Sequence, residues 1–452
     1  MQQSPVSRRE FLASSGLAAA QSSPQSAKRP NVLLVMADDF GYECLSAHGS
    51  TSYKTPHLDA FARSGVRFTH AYAQPLCTPT RVQLMTGQHN FRNYQSFGTM
   101  HPQEKTFGHM MQRAGYRTAI AGKWQLYSYD ATGSKYRGTG MKPEQGGFDQ
   151  FLLWHDAQPE TKGSRYADPV LNENGKMRGD TKGKYGPDLF TDFLSGFMAQ
   201  KSTQPFFAYY SMVLTHGPFT ATPRSKAWTA GNRLKDDPAQ FRDMVEYLDE
   251  DFGRLMGNLE RAGLAENTLV LFYADNGSPP EVVSRVEDRV VPGGKRFTTD
   301  AGMHVPLLAR WKGVTKAGQV DDSLIDSTDF LPTIAEATGA KWFAERPLDG
   351  VSFLPQVRGE RGKRRDCLFA HFDPHPSCKA DLPPTRLAWD YSHKLYLDGR
   401  LYEWTKDREE KRPLAAGVAP EKRRKLQAKL DAMARVKAPV FRKYEPDGKP
   451  AY

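Results

Sequence analysis

Asn31-Val32-Leu33-Leu34-Val35-Met36-Ala37-Asp38-Asp39-Phe40-Gly41 is the stretch that decides the architecture. Residues 32–36 are apolar without a polar alternate, as in a strand covered on both faces, and the run ends abruptly on two carboxylates. A second run, Thr268 to Ala274, has the same character and ends in Asp275-Asn276-Gly277. Before it, Phe241, Met244, Val245, Leu248, Phe252, Leu255 and Leu259 recur at helical spacing, and Gly263 stops that helix. Thr106 to Ala114 predicts another helix, followed by a short strand from Arg117 to Ala121 and then Gly122-Lys123-Trp124. Helix, short loop, buried strand and polar strand end, repeated, predict an α/β fold: a large, mainly parallel central sheet flanked by helices. Ligands of such sheets gather beyond the carboxyl ends of the strands. Asp38, Asp39, Lys123, Asp275 and Asn276 all fall at such ends.

Between Trp154 and Lys184 the chain is rich in Gly, Lys and Asp and predicts a long loop. After about Arg361 the texture changes. Strand-like runs within Thr385–Leu397, a turn at Asp398-Gly399, a short strand at Arg400–Trp404 and a basic helix predict a small α+β C-terminal subdomain. The expected division is therefore 1–27 as leader, 28–360 as catalytic domain and 361–452 as subdomain.

With 39% hydrophobic and 25% charged residues, the 452-residue chain has an ordinary globular composition and enough length for a sizeable core. Past the first 20 residues no apolar run is long enough to span a bilayer. The formal charge of +11 is concentrated in the tail, where Lys406 to Lys449 holds 14 basic and 7 acidic residues. Glu421-Lys422-Arg423-Arg424-Lys425 reads as the solvated face of a helix buried through Leu426, Leu430 and Met433. No basic patch interleaved with aromatics appears, so nucleic acid is not an expected partner.

Ser7-Arg8-Arg9-Glu10-Phe11-Leu12, then a small-residue apolar stretch to Ala20, predicts an export signal of the twin-arginine type. The expected location is periplasmic or secreted, in a bacterium. Four cysteines, Cys44, Cys77, Cys367 and Cys378, are too few for a disulfide scaffold, though Cys367 and Cys378 could pair after export.

Three carboxylates at one sheet edge repel each other by about 1–4 kcal/mol per pair at ~4 Å, for effective dielectrics of roughly 80 to 20. A divalent cation reverses that sign, and oxygen-only donors favour Ca²⁺ or Mg²⁺ over zinc. Alone, a DD pair or a DNG turn more often caps a helix or closes a turn. Together at two buried strand ends they point to a metal.

Cys77-Thr78-Pro79-Thr80-Arg81, followed by Leu84-Met85-Thr86-Gly87, is the most specific signal. C-x-P-x-R before a short helix and T-G resembles the maturation motif of the formylglycine-dependent sulfatases, within the alkaline-phosphatase-like group. The resemblance runs along nearly the whole mature chain. Asn31–Gly41 looks like that family's opening strand, and Thr55–Tyr72 like its next block. Gly122-Lys123-Trp124, Thr215-His216-Gly217-Pro218 and Ala274–Gly277 look like its later motifs, in order. Ser327–Gly339 and Leu348–Pro355 share its texture.

The resemblance implies that a maturation enzyme oxidises Cys77 to formylglycine, whose aldehyde hydrates to a geminal diol. One hydroxyl attacks sulfur and expels the alcohol; the other, once deprotonated, ejects sulfate and restores the aldehyde, which a serine or cysteine could not do. Asp38, Asp39, Asp275, Asn276 and the modified residue 77 would ligate Ca²⁺, and Arg81 would hold the formylglycine. Lys123 and Lys295 would neutralise sulfate oxygens, although Arg296 competes for the second role in Gly293-Gly294-Lys295-Arg296. His216 would protonate the leaving oxygen.

Three departures from the family pattern stand out. Gln125 occupies the position where many members carry a histidine linked to sulfate release, and glutamine is no base near neutral pH. Asp300-Ala301-Gly302-Met303-His304-Val305-Pro306 replaces a commoner Glu-Gly-Gly-x-Arg-Val-Pro, and Thr80 stands for the commoner serine. Between Cys367 and Cys378, His371, Asp373 and His375 lack a familiar zinc spacing. That stretch is read instead as an edge of the substrate pocket, with His371 or His375 touching a sugar. The expected activity is a sulfuric ester hydrolase acting on a sulfated carbohydrate. A phosphodiesterase or phosphonate hydrolase, or a non-catalytic binder of sulfated glycans, are the alternatives.

Overall fold

The apolar run at 31–37 forms a strand, β1 (Asn31–Ala37), buried along its whole length. In this computed structural model, Met1 and residues 29–127, 137–156, 161–374 and 383–436 are described. The leader, His375 and Cys378, and with them the expected Cys367–Cys378 pairing, lie outside those residues.

Nine further strands join β1 in one sheet: β2 (Val66–Phe68), β3 (Arg117–Lys123), β4 (Gln150–Trp154), β5 (Asn172–Glu173), β6 (Lys176–Met177), β7 (Phe206–Ser211), β8 (Thr268–Ala274), β9 (Leu307–Trp311) and β10 (Gln319–Asp321). Their order is β10-β2-β9-β8-β1-β7-β3-β4-β5-β6. The central block β8-β1-β7-β3-β4 is parallel throughout, as continuous apolar strands require. The register pairs Ala37 with Ala274, Met36 with both Tyr273 and Ser211, and Lys123 with Trp154, so these carboxyl ends are level.

Strand alternation sorts the helices onto two faces. Phe207 and Tyr209 of β7 meet Phe107 at 5.0 and 5.3 Å, whereas Phe206 and Tyr210 meet Phe197 and Phe190 at 6.3 and 6.5 Å. The second face carries α1 (Pro56–Ser64), α4 (Gly186–Ala199) and α5 (Phe241–Arg261), which pack on one another. The first carries α2 (Cys77–Thr86), α3 (Phe107–Arg113) and α6 (Phe330–Thr338). Likewise Phe272 packs on Phe252 of α5 and its neighbour Tyr273 on Phe330 of α6. Leu34 at the centre is fully enclosed, so truncating it to alanine costs about 2–5 kcal/mol.

The segment after Trp154 is not all loop. Asn174 and Gly175 take φ of 50° and 87°, a two-residue turn of the type that closes hairpins, and β5 and β6 extend the sheet edge. The Asn174 side chain also accepts from the Phe151 backbone N–H at 2.7 Å. Two-residue polar strands carry no alternation for a sequence reading to detect.

The C-terminal part is a four-stranded antiparallel meander, β11 (Leu368–Phe372), β12 (Thr385–Trp389), β13 (Lys394–Tyr396) and β14 (Leu401–Tyr402), with helix α7 (Pro420–Ala434). One face of the meander packs Phe369, Ala388, Leu395 and Leu401 against Leu426 and Leu430 of α7. The other packs Leu368, Leu387, Trp389 and Tyr396 with Tyr72 and Met303 of the main body. Among the described residues, no helix is long and apolar enough to cross a membrane.

Candidate active site

Four parallel strands deliver the site. Past β1, the Asp38 N–H donates to the Leu214 carbonyl at 2.8 Å, tying this turn to the segment after β7. Past β8, the Asp275 N–H donates to the Ala37 carbonyl at 3.1 Å, and the Asp39 N–H to Asp275 Oδ1 at 3.1 Å. The polypeptide turns sharply at these ends. Asp39, Gln125 and His155, following β1, β3 and β4, have φ of 61°, 53° and 64°. Non-glycine residues in that region carry roughly 1–3 kcal/mol of strain each and concentrate at functional sites. At Gly122, with φ 106°, an added Cβ would lie 1.8 Å from the Ser211 carbonyl oxygen, so only glycine lets β3 bring Lys123 this close to β7.

Every charged residue expected from the sequence is brought together here. Lys123 Nζ donates to Asp38 Oδ2 at 2.8 Å and Lys295 Nζ to Asp39 Oδ2 at 2.6 Å. Arg81 donates through Nε and Nη2 to Asp275 Oδ2 at 3.2 and 2.7 Å, and through Nη1 to the Ser211 hydroxyl. Asn276 Nδ2 donates to Asp39 Oδ1 at 2.7 Å. The competing Arg296 is not used in this way; its backbone N–H donates to the Pro75 carbonyl at 2.8 Å.

Cys77 is wholly enclosed at the first turn of α2. Its Sγ donates to Gln125 Oε1 at 3.3 Å and lies within 4.8 Å of carboxylate oxygens of Asp38 and Asp275. Burial pushes the thiol above its ordinary range, with Asp275 and Asp38 adding to that and only Lys123 and Lys295 opposing. An unmodified Cys77 is therefore a neutral thiol, the reverse of an activated nucleophile. Thr80, the substituted position, donates its hydroxyl to the Asp275 carbonyl at 2.6 Å, a bond its hydroxyl makes as a serine's would.

Desolvation would raise Asp38, but the cations Lys123, Arg81 and Lys295 outweigh it and hold the carboxyl well below its usual range. Asp275 behaves oppositely: burial, then the neighbouring Asp38, pushes it up to about 7. Desolvation would lower Lys295, yet Asp39 holds it above the ordinary lysine range. Two donor atoms inside the cluster, Asp38 Oδ1 and Asn276 Oδ1, are buried without a hydrogen-bond partner among the described residues. Unsatisfied carboxylate and amide oxygens, beside a carboxylate pushed towards protonation, fit a hard divalent cation.

His216 is partly buried, with Nε2 3.8 Å from Asp39 Oδ2. Nδ1 sits 2.6 Å from the Gly217 carbonyl, which makes Nδ1 the donor and leaves Nε2 facing the cluster. Burial, then Lys295, with Arg165 and Lys123 behind it, drives the imidazole well below its ordinary range against the pull of Asp38. The ring is neutral until an anion offsets those cations.

His371 is not brought to the cluster. On β11, Phe372 is the residue that packs with Leu76 and Cys77, and alternation turns His371 to the opposite face, where its Nδ1 accepts from Arg386 Nε at 3.2 Å. The unusual Asp300–His304 segment, a single helical turn over Asp300–Met303, is held by contacts of its own residues. His304 Nδ1 lies 3.2 Å from Asp300 Oδ1, its ring stacks on Tyr42 at 4.3 Å, and Arg408 reaches back from the C-terminal part to Asp300 at 2.6 Å.

Sequence reasoning missed Ser211 and Arg165. Ser211 ends β7, donates to the Lys123 carbonyl at 2.7 Å and accepts from Arg81. Its signal is its place, a polar residue closing the apolar run Phe206–Tyr210. Arg165 stacks on Trp154 at 3.8 Å with Nη1 3.9 Å from Asp38 Oδ2. It stands in a stretch without a motif.

Residues 30–340 match the family model described as Sulfatase, and residues 293–395 match that described as N-sulphoglucosamine sulphohydrolase, C-terminal. Arylsulfatase A of Homo sapiens is 32% identical over 373 residues, spanning 76% of this chain and 70% of that protein. A solved structure in complex with its substrate D-glucosamine-2-N,6-O-disulfate covers 90% of this chain and 98% of its own, with a TM-score of 0.73 at 20% identity. The phosphonate monoester hydrolase of Agrobacterium radiobacter covers 94% and 100%, with a TM-score of 0.68 at 20% identity. At those identities the two structures speak for the fold.

Proposed function

The chain belongs to the sulfatase family, and we propose that it is an exported hydrolase removing sulfate from a sulfated carbohydrate, with residue 77 acting as formylglycine beside a calcium ion. The observation that carries this reading is the enclosure of Cys77 among oxygen donors. A neutral thiol is a poor ligand for a hard cation and a poor nucleophile, yet it sits within 4.8 Å of Asp38 and Asp275 oxygens. An oxygen-bearing side chain at 77 removes both mismatches.

Asp38, Asp39, Asp275 and Asn276 would hold the ion together with residue 77. When bound, the ion would supply positive charge to the reacting oxygens, and a formylglycine at 77 would supply, once hydrated, the attacking hydroxyl and a second one for sulfate release. Arg81 fixes Asp275 and Ser211, and so the first turn of α2 on which residue 77 rides. Lys123 and Lys295 present charge to the sulfate oxygens. His216 offers Nε2 to the leaving oxygen; the arriving sulfate offsets the cations that keep the ring neutral, so Nε2 takes up a proton from water and passes it to the leaving oxygen. The carbohydrate assignment draws on the sugar sulfates named for the similar proteins. The export assignment draws on Arg8-Arg9 and the apolar stretch after them.

Purified, matured protein should release sulfate from members of a panel of defined sulfated saccharides, read by ion chromatography. Hydrolysis of phosphonates or phosphodiesters with no sulfate release would overturn the sulfatase reading in favour of that chemistry. Tight glycan binding with no turnover would make the protein a binder.

A further inference from the structure

We propose that Arg165 is a substrate-binding residue that donates to a non-bridging oxygen of the sulfate group; this rests on the sulfatase reading above and adds a residue to it.

Arg165 is only 7% exposed, and its guanidinium carbon stands over the indole of Trp154, 3.8 Å from the ring centroid. Trp154 is itself fixed, pairing in register with Lys123 and donating its ring N–H to the Gly163 carbonyl at 3.1 Å. The next residue, Tyr166, is buried, and its hydroxyl reaches the carbonyls of Val213 and His216 at 2.8 and 2.5 Å. The backbone carrying Arg165 is thereby fastened to the segment carrying His216. The charged head comes to Asp38, the same carboxylate that holds Lys123, a residue assigned to the sulfate.

Its polar contacts there are incomplete. Nη1 is 3.9 Å from Asp38 Oδ2, too far for a hydrogen bond, and that oxygen already accepts from Lys123 at 2.8 Å. Nη1 is buried and has no hydrogen-bond partner among the described residues. A stacked guanidinium with an unmet buried donor, set beside the carboxylate that Lys123 also holds, is completed by an anionic oxygen of the ligand. The sequence also creates a need for it. Gln125 is neutral and its Oε1 accepts from Cys77, so the position two after Lys123 brings no charge to the sulfate. Arg165 supplies a permanent one from the segment that follows β4.

The test compares wild type with Arg165→Met, which keeps the apolar stem on Trp154, and with Arg165→Lys, which keeps the charge but loses the planar fork. All three are matured, with formylglycine content equalised by mass spectrometry. Inorganic sulfate is the probe, titrated calorimetrically and as a competitive inhibitor of nitrophenyl sulfate turnover. Loss of one charge-assisted hydrogen bond should weaken sulfate binding by about 10-fold or more in Arg165→Met, with a comparable fall in kcat/KM. Arg165→Lys should recover part of both. The calcium concentration giving half the thermal stabilisation should be the same in all three. Wild-type sulfate affinity in Arg165→Met would overturn the proposal. So would unchanged sulfate affinity with altered calcium dependence, which would make Arg165 a partner of Asp38 only. If matured wild type turns over no sulfate ester, the functional reading fails separately, and calorimetry with sulfate still decides the role of Arg165.

Discussion

Replacing Arg81 with methionine tests the electrostatics of the cluster most directly. Arg81 is 2% exposed and holds Asp275 through two donors at 3.2 and 2.7 Å, with Asp38 3.8 Å from the same guanidinium. Methionine fills much of the volume but leaves two enclosed carboxylates short of a cation. Breaking such a buried pair from one side costs about 3–5 kcal/mol. For a unit the size of the matched region, residues 30–340, unfolding entropy of roughly 2.1 cal/mol/K per residue converts this into a Tm loss of about 5–8 °C. Asp275 is already pushed up to about 7 by burial and by Asp38, and without Arg81 it rises further. An acid whose folded pKa exceeds its unfolded value costs stability increasingly as pH climbs from the ordinary carboxylate range through the folded value. The Tm deficit should therefore widen from about pH 5 to pH 8 in calcium-free buffer, and calcium, bringing positive charge to the same oxygens, should narrow it. Differential scanning calorimetry across that range reads all three effects. A deficit below about 2 °C, flat with pH and indifferent to calcium, would refute the reasoning.

Four further outcomes are expected. Chelation should abolish sulfate release and lower the Tm, with Ca²⁺ restoring both; full activity in protein shown by elemental analysis to be metal-free would remove the ion from the mechanism. His216→Ala should lose about 10²–10⁴ in rate on alkyl sulfates and less on nitrophenyl sulfate, whose leaving group needs little protonation; equal losses would reduce His216 to a positioning role. Gln125→His should change steady-state turnover more than the first-turnover burst, and no change in either would show that sulfate release does not wait on a base there. The Cys77 peptide of matured protein should be about 18 Da lighter than unmodified, and Cys77→Ser should turn over at most about once. Sustained turnover by that variant would end the formylglycine assignment.

What the sequence revealed follows from where its information is local. Val32–Met36 and Thr268–Ala274 announce buried strands by themselves, and the carboxylates at their ends inherit a position from the general rule for parallel sheets. Cys77 to Arg81 lies within one helical turn, so its pattern survives in the linear text. Arg165 does not, because its meaning depends on Trp154 beneath it and Asp38 opposite, neither adjacent in sequence. The β5–β6 hairpin was illegible for another reason: two-residue polar strands at a sheet edge bury too little to need a pattern. Residues 371 and 372 show the converse limit: the linear text does not say which of two strand neighbours meets Cys77, and here it is Phe372.

The enclosure of Cys77 also sets an order of events. The residue is wholly enclosed, α2 is buried from Cys77 to Thr86, and Phe97 and Phe372 close over its first turn, the latter contributed by a strand almost three hundred residues later. A modifying enzyme has to bring its own active site to the side chain, and in the finished fold nothing that large can approach. On the formylglycine proposal, conversion of Cys77 would belong to the interval after its synthesis and before β11 docks, which cannot happen until most of the chain has been made. Export by the twin-arginine route, as proposed from Arg8-Arg9, would sharpen the constraint, because that route carries cargo already folded. The chemistry at 77 would have to be finished on the inner side of the membrane, on a still-open chain, and protein that folds first would be sealed with an inert thiol. Slowing folding during expression, or supplying the maturation enzyme early, should raise the active fraction, whereas treating folded protein with the same enzyme should leave it unchanged.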